Sequence, residues 1–237
     1  MSSVMTNVVS VSVSGSGSAC RSLLSGWARW SASDGSSHVI VPSAHWPQLK
    51  AVVAVVSDRP KKTSSTAGMQ MSVETSSLLN HRVHVSVPHR LQKLQKSLQK
   101  RDFASFAETV MRDSNQLHAV CLDTYPPLFY LNEISTKIIQ LVHSYNAGEG
   151  STKVAYTFDA GPNACLLMQA EVVPNFLAYL CAAFPNNLTD KFIVGDASLV
   201  NLTPKSRLNL DVIPFSPVQN AVQYVLVSDL GSGPYVC

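Results

Sequence analysis

The chain has 237 residues, of which 46% are hydrophobic, enough to bury a core in one large or two modest domains. Only 14% are charged, and 18 basic against 15 acidic residues leave a formal net charge of +3, which gives no strong electrostatic reason to expect a nucleic-acid partner. No apolar run reaches the roughly 18 residues of a membrane helix, so we expect no membrane partner.

Cysteine usage and the start of the chain indicate the compartment. The five cysteines are odd in number, widely spaced and form no C-x-x-C pair, which is typical of reduced thiols in a cytosolic protein. Residues 1–14 have no basic segment followed by an apolar run and no arginines, so they resemble neither a signal peptide nor a transit peptide. We expect a cytoplasmic (cytosolic) protein without disulfides or structural zinc.

The predicted elements begin after an ambiguous stretch. Residues 1–14 alternate roughly between Ser and Val, which fits either an edge strand or a disordered arm. Ser16 or Ser18 is placed to cap a helix that carries Arg21 in its first turns. Residues 34–48 read as a loop.

A central strand and a run of helices follow. Residues 49–58 are β-branched and almost wholly apolar, which predicts a strand covered on both faces. A helix is predicted from about Thr66, two more within residues 89–123, and another over 130–146. The first of these has apolar residues near helical spacing, namely Met69, Val73 and Leu78.

The hydrophobic period then changes. Residues 153–160 and 164–170 are short apolar runs around a Gly-Pro turn, which predicts an antiparallel pair. A helix over 174–183 and a last strand over 221–229 complete the order. Helices clustered between separated strands indicate an α+β fold with an antiparallel sheet packed with helices.

Two Ser-rich stretches are candidate anion sites. "SGSGSACR" offers hydroxyls and backbone N–H groups before a helix, with Arg21 about one turn in, although a flexible linker explains the composition equally well. "KKTSSTAGM" repeats the pattern with Ser64, Ser65 and Thr66 at a helix start and Lys61 and Lys62 nearby, and helix capping alone is the alternative there.

Asp159 is the candidate catalytic residue. It stands where a strand breaks into a Gly-Pro-Asn turn, and a buried or half-buried carboxylate at such a junction costs free energy unless it is paired. The alternative is an Asx-turn, in which the side chain bonds the backbone two residues on.

Other chemistry has weaker support. The basic positions 90, 93, 96 and 100 recur at helical spacing without aromatic neighbours, so a solvated helix face is favoured over an RNA-binding stripe. His81, His84 and His89 lack a convincing further metal ligand, and we expect no metal held by protein side chains alone. No G-x-S-x-G elbow indicates a serine hydrolase.

Several motifs together resemble one family. "GSGSACRSL", "SSTAGM", "ETSSLL", "MRDSNQLHAVCLDTYPP" and "KVAYTFDAGPNA" are similar, in order, to those of diphosphomevalonate decarboxylases of the GHMP kinase superfamily. The resemblance covers about residues 15–237. It implies a non-family segment at 1–14, a remnant of the GHMP amino-terminal domain at 15–47, and a GHMP carboxy-terminal domain at 48–237.

The resemblance also implies a reaction and its participants. These enzymes convert mevalonate 5-diphosphate, with ATP and Mg²⁺, to isopentenyl diphosphate in isoprenoid and sterol biosynthesis, and the resemblance implies a homodimer. Asp159 matches the catalytic aspartate and Arg21 the arginine that holds the anionic end of the substrate. The remaining matches are substrate-binding positions: Ser16, Ser18, Ser65, Thr66 and Met69.

One family feature is not found in this sequence. Family members carry an earlier Gly/Ser-rich loop that cradles the ATP phosphates, and no segment here matches it. Because phosphoryl transfer depends on positioning the phosphates, we expect residues 1–237 alone to have little turnover. The alternative is a catalytically inactive fragment that pairs with a full-length enzyme.

Overall fold

The computed structural model describes most of the chain from residue 24 onward: 24–31, 35–57, 63–187, 192–195, 208–229 and 231. The predictions for residues 1–14 and for a helix capped by Ser16 or Ser18 lie outside these residues. The chain divides into two compact units, Met1–Pro47 with Asp229–Cys237, and Gln48–Ser228.

The first unit contains a two-stranded antiparallel hairpin. Strand β1 (Trp27–Trp30) pairs with β2 (Ser37–Val41), and a short 3₁₀ turn, Ser43–His45, follows. The loop predicted over 34–48 is therefore wrong for Ser37–Val41. The three β-branched residues of β2 suit a strand, but a strand needs a partner for its N–H and C=O groups, and β1 supplies it.

The second unit is built on a five-stranded sheet. Its strands are β3 (Leu49–Val55), β4 (Val154–Thr157), β5 (Ala164–Gln169), β6 (Ile193–Gly195) and β7 (Tyr224–Asp229), in the order β4-β5-β3-β7-β6. β3 is central, as its apolar sequence predicted. The β3–β5 and β4–β5 pairs are antiparallel, whereas β6 and β7 run parallel at the other edge.

Helices of the second unit begin where the sequence predicted them, and most begin at a side-chain cap. They are α1 (Ser65–Thr75), α2 (Ser77–His81), α3 (Val87–Lys100), α4 (Phe103–Asp123), α5 (Glu133–Gly148) and α6 (Val173–Ala183), with a π-helical turn at Arg82–Ser86 and a 3₁₀ turn at Leu210–Val212. Ser64, Asp102 and Asn132 cap α1, α4 and α5 by accepting bonds from backbone N–H groups. The α+β class is confirmed. None of the described helices is both long and apolar enough to cross a bilayer.

The main core lies between the sheet and helices α5 and α6. Phe176 is fully buried, and its ring meets that of Tyr145 edge to face with centroids 5.1 Å apart. The side chain of Asn146 accepts from the N–H groups of Lys153 and Val154 and donates to the Val154 carbonyl. This packing fixes the start of β4, the strand that leads to Asp159.

Helix α1 does not bury the face that its apolar residues suggested. Met69 and Val73 are 65% and 67% exposed, and the buried residues of α1 are Gly68 and Ser72. A Cβ at Gly68 would collide with the hydroxyl of Tyr130. Close approach to the segment after α4 therefore selects small residues for the buried face and leaves the larger ones outside.

Candidate functional site

Asp159 lies two residues beyond the end of β4, next to residues whose side chains are buried in the core. Tyr156 and Phe158 are 1% and 3% exposed, whereas Asp159 is exposed. Among the described residues, none donates a hydrogen bond to its carboxylate. The prediction of a buried or half-buried acid is therefore wrong, and the carboxylate is open to a ligand.

The backbone around Asp159 is a tight turn, although the side chain does not close it. The Gly161 N–H donates to the main-chain carbonyl of Asp159 over 2.8 Å. The bond spans two residues, as in the predicted Asx-turn, but the acceptor is backbone. The carboxylate thus stays free while the chain that carries it is constrained.

Hydrogen bonds to α4, to α5 and to the end of β3 hold this turn. The Phe158 N–H donates to Ser114 Oγ of α4 over 2.9 Å, and Ser135 Oγ of α5 donates to the Pro162 carbonyl over 2.9 Å. Asn163 Oδ1 accepts from the N–H groups of Val56 and Ser57, just after β3. The turn is consequently fixed before and after Asp159.

His118 of α4 lies against the same turn. Its ring meets that of Phe158 edge to face, with centroids 6.3 Å apart. Its Nε2 is buried with no hydrogen-bond partner among the described residues. Burial lowers the pKa of His118, while the nearby Phe158 backbone and the charge of Asp159 act in the opposite direction.

This lowered pKa makes folding stability depend on pH. Below pH 6.5 His118 is protonated in the unfolded chain but less so in the folded chain, because its folded pKa is lower. The contribution of the neutral His118 to the free energy of unfolding is therefore complete above that pH and is lost as the pH falls. We expect the free energy of unfolding, measured by urea denaturation, to fall between pH 7.5 and 5.5 with a His118 share of at most about 1.4 kcal/mol per pH unit. In His118→Gln the free energy of unfolding should depend less on pH in this range. The same pH dependence in the variant and the wild type would contradict the prediction.

Cys165 of β5 is a thiol near the Asp159 turn. It lies opposite Thr157 in the β4–β5 pair. Burial raises the pKa of the Cys165 thiol to about 11, with a further contribution from the charge of Asp159. Such a thiol stays protonated at neutral pH and is no nucleophile.

The second predicted segment is the first turn of α1. Ser64, rather than Ser65 or Thr66, is the cap, its Oγ accepting from the Ala67 N–H over 3.1 Å. The capping alternative is therefore correct for Ser64 alone. Ser65, Thr66 and Met69 are all exposed, so their side chains are available to a ligand.

Helix α1 is held against the end of α4. Ser72 Oγ and Thr124 Oγ1 are 2.8 Å apart, and Ser76 Oγ donates to Asp123 over 2.7 Å. Ser114, which bonds Phe158, is ten residues before Thr124 on the same helix, or about 15 Å at 1.5 Å rise per residue. One helix therefore positions both the Asp159 turn and α1.

The basic face of α3 is only partly solvated. Arg90 and Arg82 both donate to Asp113 of α4, and Lys93 contacts Glu108 over 2.8 Å. A cavity of about 350 Å³ between α3 and α4 is lined by Arg90 and the Lys93–Glu108 pair, among others, and its lining includes neither Asp159 nor any residue of α1. Arg90 and Lys93 thus contact α4, whereas Lys96 and Lys100 are exposed, as a solvated helix face predicts.

The ion pair of Arg82 with Asp113 gives a stability prediction. The contact is bidentate, 2.8 and 2.9 Å, and the Arg82 side chain is 13% exposed. Burial by itself raises the pKa of Asp113, but Arg82 and Arg90 outweigh it and hold that pKa below its usual value. The contribution is therefore present above about pH 4 and is lost as the pH falls through the folded pKa.

We expect Asp113→Asn to lower the free energy of unfolding at pH 7 by about 1–2 kcal/mol, because it leaves a half-buried guanidinium without its carboxylate. Glu108→Gln is the matched control: its pair with Lys93 is about half exposed, and its loss costs under about 1 kcal/mol. If both variants lose the same free energy of unfolding in urea denaturation, the greater burial of the Arg82–Asp113 pair adds nothing to stability.

Several predicted site residues lie outside the described part of the chain. Ser16, Ser18 and Arg21 are among them, as are Lys61 and Lys62. In the described ranges, no three His, Cys, Asp or Glu side chains group as metal ligands. His84 Nδ1 lies 2.9 Å from the Asn80 carbonyl instead.

Reasoning from the sequence missed the residues that support Asp159. Ser114, His118 and Ser135 lie in helices, and nothing in the helical period marks them. Asn163 carried a weak signal, since asparagine after Gly-Pro is typical of turns. Its bonds to Val56 and Ser57 join positions over 100 residues apart and are visible only in the folded chain.

Comparison with known proteins identifies the family of this chain. Residues 51–237 match the family model described as mevalonate 5-diphosphate decarboxylase C-terminal domain. A diphosphomevalonate decarboxylase from Rattus norvegicus is 46% identical over 230 residues, which cover 94% of this chain and 57% of that relative. The chain thus spans somewhat more than half the length of the curated relatives that it matches.

Solved structures match as well. Mevalonate diphosphate decarboxylase from Trypanosoma brucei superposes with a TM-score of 0.87 at 32% identity, covering 98% of this chain and 68% of that one. A complex described as MDDEF with MVAPP, AMPPCP and magnesium matches at a TM-score of 0.64 and 29% identity, covering 70% and 51%. The family model covers more than half of the chain, and the chain therefore belongs to the mevalonate 5-diphosphate decarboxylase family.

Proposed function

We propose that the protein acts in the ATP-dependent decarboxylation of mevalonate 5-diphosphate, yielding isopentenyl diphosphate, ADP, phosphate and carbon dioxide. The observation that carries the proposal is the Asp159 carboxylate, which is exposed and unpaired among the described residues on a turn fixed from α4, α5 and the end of β3. A rigid backbone with a free carboxylate suits a group that must meet a reacting hydroxyl in one orientation.

Asp159 takes the catalytic role. It orients or deprotonates the tertiary hydroxyl of the substrate, which accepts the γ-phosphoryl group of ATP. The resulting phosphate is a good leaving group, and its departure together with carbon dioxide forms the double bond of the product. In protein kinases an aspartate accepts the proton of the substrate hydroxyl in a comparable phosphoryl transfer.

The anionic end of the substrate is assigned to the Ser-rich segments. Arg21 provides a planar guanidinium for bidentate contact with a carboxylate or phosphate, and Ser16 and Ser18 provide hydroxyl donors. The exposed Ser65, Thr66 and Met69 line the substrate pocket from the first turn of α1. These assignments rest on the family resemblance of the two segments.

ATP and Mg²⁺ are assigned as co-substrate and its metal ion. Magnesium keeps several waters and is typically held by one or two carboxylates together with substrate phosphates. The described residues contain no cluster of three metal-ligating side chains, and they present the carboxylate of Asp159 without a hydrogen-bond donor, which fits an ion that arrives with the nucleotide. When bound, it supplies positive charge to the transferring phosphoryl group.

The test is release of carbon dioxide from mevalonate 5-diphosphate by the purified 237-residue chain. We expect release that requires both ATP and Mg²⁺ and is at least tenfold slower than that of a full-length homologue, because no segment of this sequence matches the ATP phosphate loop. Absence of any ATP-dependent release, from protein with a cooperative unfolding transition, would reject the proposal for this chain.

We also propose a cytosolic homodimer, as the family resemblance implies. Native mass spectrometry of the purified chain gives the oligomeric state directly. A monomer at micromolar concentration would remove this part of the proposal and leave the catalytic part unaffected.

A further inference from the structure

One peptide group connects α4 to the candidate catalytic residue. The Phe158 N–H donates to Ser114 Oγ over 2.9 Å, and the His118 ring lies edge to face against the Phe158 ring. Ser114 and His118 are four residues apart, so they occupy the same face of α4 on successive turns. The residue that they hold immediately precedes Asp159.

The contact between Ser114 and the Phe158 N–H is buried, and burial restricts the position of the Phe158 peptide group. Ser114 is 3% exposed, Phe158 3% and His118 8%. A buried N–H without an acceptor loses its hydrogen bond to water without a replacement, so the Phe158 amide cannot leave Ser114 without a cost in free energy. Because the φ and ψ angles on either side of Asp159 follow from the placement of the flanking peptides, fixing Phe158 limits where the Asp159 carboxylate can point.

The hydrogen bonds downstream complete the constraint. Asn163 is tied to the end of β3, and Pro162 to Ser135 of α5. None of these bonds engages the Asp159 side chain itself. The arrangement constrains the chain on both sides of the carboxylate and leaves the carboxylate free.

We propose that Ser114 and His118 are positioning residues, which hold the Phe158 peptide so that the Asp159 carboxylate meets the reacting hydroxyl in one orientation. The proposal deepens the function assigned above and rests on it for the identity of the reaction. Neither residue contacts the substrate in this scheme. Both act through the backbone of the segment that carries Asp159.

Ser114→Ala and Ser97→Ala form a matched pair for the test. Both serines are 3% exposed and helical, and the Ser97 hydroxyl donates to the Leu94 carbonyl of its own helix instead of contacting the turn. The first measurement needs no turnover: hydrogen exchange of the Phe158 amide in the full 237-residue chain. We expect at least tenfold faster exchange in Ser114→Ala and a change of under twofold in Ser97→Ala, each corrected for global stability.

The second measurement is the kinetics of ATP-dependent carbon dioxide release. We expect kcat to fall at least tenfold in Ser114→Ala with KM for mevalonate 5-diphosphate within threefold, because orientation at the reacting atoms is lost while binding is kept. Ser114→Thr, which keeps the hydroxyl, recovers most of kcat, and Ser97→Ala stays within twofold of the wild type. In an Asp159→Asn background Ser114→Ala has no further effect.

His118→Phe and His118→Leu extend the test to the second residue. Phenylalanine keeps an aromatic ring against Phe158, whereas leucine keeps only aliphatic volume, so we expect kcat to be retained better in the phenylalanine variant. Equal kcat in both variants would remove His118 from the proposal.

The outcomes separate the two proposals. Unchanged Phe158 exchange in Ser114→Ala, or equal losses of kcat in Ser114→Ala and Ser97→Ala, would overturn the positioning role. Faster exchange together with an absence of carbon dioxide release by the wild type would reject the proposed reaction while upholding the hold of Ser114 on the Asp159 segment.

Discussion

Replacement of Asp159 by asparagine is expected to lower ATP-dependent carbon dioxide release by about 10²- to 10⁴-fold, the range that general acid–base groups contribute. The change is nearly isosteric and removes the charge and the basic oxygen. Because the side chain is exposed and has no hydrogen-bond donor among the described residues, the variant should keep its free energy of unfolding within about 0.5 kcal/mol. The effect should appear in kcat, since the carboxylate acts at the reacting hydroxyl and not at the diphosphate.

Asp211→Asn is the control for this variant. Asp211 is also an exposed aspartate of the second unit, in the 3₁₀ turn Leu210–Val212. We expect its rate to stay within twofold of the wild type when both variants are assayed at saturating ATP. If Asp159→Asn retains more than a tenth of the wild-type rate, Asp159 is not the catalytic base of this chain.

Replacement of Asn163 by alanine is expected to give the largest loss of stability among the variants of the site, about 3 kcal/mol. The side chain accepts from the Val56 and Ser57 N–H groups over 2.9 and 3.0 Å and donates to the Ser57 carbonyl over 3.1 Å. Each bond contributes about 1 kcal/mol net, and alanine leaves three backbone groups without this partner. Urea denaturation at pH 7 measures the loss.

Asn175→Ala is the control for this loss of stability, because it removes one hydrogen bond instead of three. Asn175 is likewise half-buried, and its amide donates one hydrogen bond, to the Tyr145 hydroxyl over 3.0 Å. Its loss should be about 1 kcal/mol. A loss in Asn163→Ala no larger than that in Asn175→Ala would mean that the bonds to the end of β3 do not stabilise the turn.

Asn163→Ala should also lower the rate of carbon dioxide release, because the turn that carries Asp159 loses its downstream attachment. Asn163→Asp keeps the two acceptor contacts to the Val56 and Ser57 N–H groups and loses only the donor to the Ser57 carbonyl. We expect its rate and stability to lie between those of the wild type and Asn163→Ala.

Short stretches of the sequence were sufficient to predict several strands, turns and helices. The almost wholly apolar run 49–55 predicted a central strand, and β3 is the middle strand of the sheet. The Gly-Pro turn between two apolar runs predicted the antiparallel pair β4–β5. Periodic apolar residues predicted α1, α3, α4 and α5, because helical faces are properties of neighbouring residues, whereas α2 was not predicted. Asp159 was found in the same way, from its place at the end of a strand.

Only the tertiary structure decided which residues face the core and which hold the site. The apolar residues of α1 predicted a buried face, yet Met69 and Val73 are exposed while Gly68 and Ser72 pack against Tyr130 and Thr124. Ser37–Val41 became a strand because β1 supplied its hydrogen-bond partners. The bond from Phe158 to Ser114 joins residues 44 positions apart. Such contacts depend on which surfaces meet after folding, and neither hydrophobic period nor local propensity carries that information.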